Sequence, residues 1–173
     1  GSEMCIRDRQ GMSGLIIDIR SNPGGLLNSV VDILDGLLPD GLIVYTETKS
    51  GTRKEYKGSN SSELKVPLAV LVNEDSASAS EIFAGAVQDY GKGAIIGTKT
   101  FGKGIVQTIQ PLTDGSAVKY TIAKYFTPKG QDIHGKGVKP DSIVELPDDA
   151  TEDVQLKAAV EYLNGKMSVS AAE

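Results

Sequence analysis

Pro67-Leu68-Ala69-Val70-Leu71-Val72 runs directly into Asn73-Glu74-Asp75-Ser76-Ala77-Ser78-Ala79-Ser80-Glu81-Ile82-Phe83-Ala84, and the reading of this junction decides the architecture. The first six residues are a continuous apolar run of the length of a strand buried on both faces. Beyond the polar break, Ile82, Phe83, Ala86 and Val87 recur at helical spacing, and Asp89-Tyr90-Gly91 ends the helix on a glycine. The alternating serines therefore sit where a strand turns into a helix. Unpartnered backbone N–H groups and the positive end of the helix dipole converge at such a point, which suits a developing oxyanion. The plainer reading is a serine-rich N-cap with small residues for close packing.

Working outward, Gly14-Leu15-Ile16-Ile17-Asp18-Ile19 reads as a second buried strand, followed by the turn signal Ser21-Asn22-Pro23-Gly24-Gly25. A helix follows with Leu26, Leu27, Val30, Val31, Leu34, Leu37 and Leu38 on its inner side, stopped by Pro39-Asp40-Gly41. Leu42 to Thr48 and Arg53 to Lys57 predict a hairpin around Ser50-Gly51, and Gly58 to Ser62 a polar loop. Downstream come a short strand, Gly93 to Ile96, and a second hairpin, Ile105 to Gln110 with Ala117 to Phe126. Ser142 to Leu146 is a last strand. A final helix starts near the cap Thr151, with Val154, Leu156, Ala159, Val160 and Leu163 as its apolar residues. Strands alternating with helices, and hairpins later in the chain, predict an α/β domain with a mixed sheet.

The composition narrows the function classes. The 173 residues suit one domain: residues 1–9 read as a tag remnant or artefact, 10–165 as the folded core and 166–173 as a flexible tail. A net charge of −5 and the lack of a Lys/Arg stripe interleaved with aromatics argue against nucleic-acid binding. No apolar run approaches the roughly 20 residues of a membrane span. The single cysteine, Cys5, excludes a disulfide framework or zinc knuckle, and no metal or cofactor is expected.

A serine attacks only when something removes its proton. The one histidine, His134, stands in Gln131-Asp132-Ile133-His134-Gly135-Lys136-Gly137, a setting typical of a surface loop. Lys103 is the other candidate base, in Thr100-Phe101-Gly102-Lys103-Gly104-Ile105-Val106-Gln107. The glycines permit close backbone approach, and water-stripping apolar neighbours favour an uncharged amine. The same segment imitates a phosphate loop, since Gly97-Thr98-Lys99-Thr100-Phe101-Gly102-Lys103 matches G-x-x-x-x-G-K. Gly104 stands where the hydroxyl for magnesium is required, and a strand-like run follows where a phosphate site needs a helix N-terminus.

Six separated blocks, in order, resemble the carboxy-terminal processing peptidases, also called tail-specific proteases: Gly14 to Leu27, Ser76 to Ile82, Gln88-Asp89-Tyr90, Gly97 to Gln107, Tyr125 to Gly130, and Gly137 to Asp141. The resemblance implies a crotonase/ClpP-like mixed-sheet core with flanking helices and a serine endopeptidase acting through a Ser/Lys dyad. It puts the nucleophile on Ser78 and the general base on Lys103, with Gln107 orienting the lysine. The oxyanion hole falls to the N–H groups of Ala79 and Gly24, with Asp89 in support. On a straight strand Lys103 and Gln107 would stand roughly 13 Å apart, so contact between them requires a bend, which Gly104 permits. The resemblance further implies protein or peptide substrates with exposed C-terminal tails, an upstream PDZ domain in the parent protein, and a periplasmic or extracytoplasmic location. A non-catalytic peptide- or ligand-binding module on the same fold is the alternative.

Overall fold

The computed structural model describes residues 11–59, 63–147 and 149–170, so the segment 1–9 and most of the loop expected at 58–62 lie outside the described residues. At the centre is β4 (Leu68–Val72), buried at every position. Strand alternation sends Leu68, Val70 and Val72 into one apolar cluster, and Ala69 and Leu71 into another on the opposite face. Each fully buried Leu or Val among them contributes about 1.5–3 kcal/mol. β4 lies between β1 (Leu15–Asp18) and β5 (Gly93–Gly97), and β5 pairs with β8 (Ser142–Ile143), giving a wholly parallel sheet of order β1-β4-β5-β8.

Parallel neighbours need a crossover, and α2 (Ala79–Tyr90) makes it between β4 and β5. Together with α1 (Leu27–Asp35) it covers one face of this sheet, while α3 (Val154–Ser170) covers the other through Ala159 and Leu163. The remaining strands are β2 (Gly41–Glu47), β3 (Arg53–Gly58), β6 (Ile105–Pro111) and β7 (Ala117–Phe126). They form a second, antiparallel sheet of order β3-β2-β7-β6. The α/β expectation holds, with parallel and antiparallel strands segregated into two sheets. α2 touches both of them, through β5 and β2, and α1 packs on β2 and β3.

Several boundaries differ from the sequence reading. Leu26 is 76% exposed, because it precedes α1 in extended backbone and its side chain does not follow the helical face. The helix stops at Asp35, and Leu37 and Leu38 reach the core from a tight turn in which both N–H groups donate to the Leu34 carbonyl. β8 is limited to Ser142–Ile143 because its partner β5 ends at Gly97. The cap of α3 is Asp153 rather than Thr151, since Asp153 Oδ1 accepts the Leu156 N–H at 2.9 Å.

The inner stripe of α3 is Gln155, Ala159 and Leu163, and it leaves Leu156 and Val160 exposed. Gln155 displaces the apolar pair because it has two partners. Its Nε2 donates to the Val144 carbonyl at 2.8 Å, and its Oε1 accepts from the Arg20 guanidinium at 3.0 Å. Arg20 also pairs with Asp18 and Asp153, tying the end of β1 to the start of α3. The helix continues to Ser170, into the stretch 166–173 read as a tail.

Candidate active site

The strand-to-helix junction sorts its three serines. Ser76 is fully buried and donates to the Ile19 carbonyl at 2.8 Å, and Ser80 donates to the Asn22 carbonyl at 3.0 Å. Both hydroxyls are committed to holding the β1 turn against the helix start. Ser78, half-buried between them, lines an open cleft of about 300 Å³. Its backbone has φ 60° and ψ −116°, a region costly for any residue but glycine. Strain of about 1–3 kcal/mol persists only where the surroundings over-determine the conformation.

Glu81 is the main over-determining group. It is 0% exposed and accepts four hydrogen bonds. Oε2 takes the backbone N–H of Ser78 at 2.9 Å and of Lys103 at 2.7 Å, while Oε1 takes the Gly102 N–H and the Thr100 hydroxyl, each at 2.6 Å. One carboxylate thus fixes the helix start and the Lys103 loop to each other. The sequence reading gave Glu81 no role, although Ser78-Ala79-Ser80-Glu81 carries the S-x-x-E capping signature.

Lys103, Gln107 and Ala79 line the same cleft as Ser78. No hydrogen bond joins Ser78 to Lys103 or Lys103 to Gln107, and the Lys103 ammonium has no polar partner among the described residues. β6 begins only at Ile105, so Lys103 and Gln107 do not stand on one straight strand, and a bulge interrupts the β6–β7 ladder between Val106 and Gln107. Val106 opposes Ala123 and Gln107 opposes Thr121, so Ile122 is the extra residue of a bulge. The extra residue lies on β7, so β6 keeps its regular alternation, which puts Gln107 on the same face as Ile105, and both line the cleft. Gly104 serves a close approach: a Cβ there would stand 2.4 Å from the His134 backbone nitrogen. The His134 side chain itself is exposed and outside the cleft.

Gly24 lies against the junction, and with φ +102° a Cβ there would fall within 2.8 Å of Ala77 O, Ala79 N and Ser78 Cβ. Its N–H donates to Asn22 Oδ1 at 2.9 Å within the turn. The Ala79 N–H, at the first helical position, has no acceptor four residues back. Asp89 is remote from the cleft and braces another turn, accepting from the Lys129 N–H at 2.7 Å and the Gln131 amide at 2.6 Å. Leu26, Leu27, Ile82, Ile105 and Val106 give the cleft apolar walls. Among the described residues there is no cluster of three or more His, Cys, Asp or Glu able to hold a metal ion. A hydroxyl, an amine and helix-start N–H groups in one apolar cleft are the parts needed for acyl transfer.

Comparison with known proteins gives the same direction. The profile of Peptidase family S41 matches residues 4–144, a match that begins inside the stretch set aside as a remnant. The chain is 43% identical over 169 residues to the carboxyl-terminal-processing protease of Synechocystis sp., covering 94% of this chain and 40% of that protein. It is 46% identical over 144 residues to a "Probable CtpA-like serine protease" of Staphylococcus epidermidis, covering 80% of this chain and 29% of the relative. Among solved structures, a photosystem II D1 C-terminal processing protease superposes with a TM-score of 0.77 at 41% identity, over 92% of this chain and 41% of that one. The chain therefore spans well under half the length of these relatives.

Proposed function

The chain belongs to peptidase family S41, and on that footing we propose that it carries the catalytic centre of a serine endopeptidase cutting proteins near their C-termini. The observation that carries this reading is Ser78, held at a strained helix start and facing the same apolar cleft as an amine without a polar partner. The Lys103 amine takes the Ser78 proton as Oγ attacks the scissile carbonyl carbon. The carbonyl electrons move onto oxygen, where the Ala79 N–H meets them together with the Gly24 N–H, once Asn22 Oδ1 releases it. Lys103 then returns the proton to the departing amine as the C–N bond breaks. Water, deprotonated by the same lysine, hydrolyses the ester. Gln107 steers the amine, and Asp89 supports the fold around the site.

A substrate tail would enter the cleft in extended form and be held largely by main-chain hydrogen bonds. An upstream PDZ domain in the complete protein would present that tail, and the work would take place outside the cytoplasm. Among the described residues no helix is long and apolar enough to cross a membrane. In the complete protein, Ser78→Ala and Lys103→Ala are each expected to lower cleavage of an unfolded protein by about 1,000-fold or more. A fluorophosphonate probe should label Ser78 by mass spectrometry. Undiminished cleavage by either variant rejects the assignment.

A further inference from the structure

Tyr125 is 2% exposed, and its hydroxyl is a buried polar atom with no hydrogen-bond partner among the described residues. Folded proteins satisfy nearly all such groups, so an orphan calls for a reason. The ring is held firmly. The Tyr125 N–H donates to the Gly104 carbonyl at 3.1 Å, directly after Lys103, and the residue pairs with Thr46 of β2. Its side chain lines the cleft with Ser78, Lys103 and Gln107. Oη makes no hydrogen bond among the described residues, and the residue shares its cleft with the Ser78 hydroxyl. Burial first, and the Glu81 charge second, push that ionisation far above the usual phenol range, so the group keeps its proton in alkaline solution. It is a permanent donor waiting beside the nucleophile.

We propose that Tyr125 is a further catalytic residue of this centre: its phenol O–H donates a hydrogen bond to Ser78 Oγ while Lys103 withdraws the Ser78 proton. The Ser78 proton goes to Lys103, the Tyr125 proton stays on the phenol, and the donated bond stabilises negative charge on Oγ until the bond to the carbonyl carbon forms. The role rests on the Ser78/Lys103 reading above. It also gives the unsatisfied hydroxyl a partner during the reaction.

Tyr125→Phe keeps the ring and removes only the orphan oxygen. In the complete protein it is expected to lower kcat about 10- to 100-fold with KM little changed, to slow phosphonate labelling of Ser78, and to leave the melting temperature unchanged or raised. Wild-type kcat in a folded Tyr125→Phe protein overturns the proposal. So does a melting temperature that falls together with activity, because the hydroxyl is then structural. If wild type is not labelled and Ser78→Ala still cleaves, the underlying dyad fails and the Tyr125 role fails with it. A labelled wild type beside a fully active Tyr125→Phe removes the tyrosine role alone.

Discussion

The two walls of the cleft are built differently. The wall that carries Ser78 is β4 and the first turns of α2, where every strand residue and nearly every helix residue is buried. The wall that carries Gln107 and Lys119 is the β6–β7 hairpin, where no residue of β6 is fully buried and only Ala123 and Tyr125 of β7 are. Moving the first wall exposes the core, whereas the second can shift with little loss of buried surface. Ser78 is therefore fixed, and whether it meets Lys103 depends on where the lighter wall and its loop come to rest. Glu81 is the polar link between the first wall and the Lys103 loop that leads into the second, one carboxylate bonded to both.

Cutting that link should have the largest effect. Glu81→Ala leaves three backbone N–H groups and the Thr100 hydroxyl without their acceptor. A loss of about 3–5 kcal/mol in urea unfolding is expected, with cleavage reduced more than about 100-fold. A stable, active Glu81→Ala protein would mean the walls are held by packing alone. Next, Leu71→Ala in the buried wall is expected to cost about 2–5 kcal/mol by the same measurement. Were it no worse than a hairpin substitution, the contrast between the walls would be lost.

Arg20, at the far edge of the buried wall, pairs with partly exposed Asp18 and Asp153 but also satisfies the buried Gln155 Oε1, so Arg20→Met should cost about 1–3 kcal/mol. Its pH dependence has a definite sign. Hydrogen bonds from Arg20 hold the Asp18 and Asp153 carboxyls below their ordinary range. The stabilisation is complete above the unfolded carboxylate pKa of about 4 and is lost as pH falls through the lower folded values. The melting-temperature gap between wild type and variant should be full at neutral pH and close in strong acid; a gap that widened there would contradict the pairing. The smallest effect belongs to the hairpin, where Val118, 46% exposed, should tolerate alanine within about 0.5 kcal/mol.

How much of this was legible follows from how far apart the interacting residues are. The β4–α2 junction was readable because an apolar run, a helical period and a glycine stop are local signals, and the structure reproduces all three. The assignment of Ser78 and Lys103 to one centre came from the ordered blocks rather than from periodicity, and both do line one cleft. The buried stripe of α3 was misread because the glutamine that wins it is satisfied by Arg20, 135 residues away along the chain. Glu81 was overlooked although its capping signature was present, since its other partners lie on a separate loop.

The residues by themselves determined which segments are strands and helices, where the strand-to-helix junction lies, and which hydroxyl and amine match the protease pattern. Tertiary structure alone decided the separation into two sheets, the β7 bulge opposite Gln107, the capture of the Gly24 N–H by Asn22, and the burial of a lone tyrosine hydroxyl in the cleft of Ser78. Backbone propensity and hydrophobic period act over a few residues and are written into the chain. Register, polar satisfaction and desolvation are set by whichever distant groups the closed fold brings together.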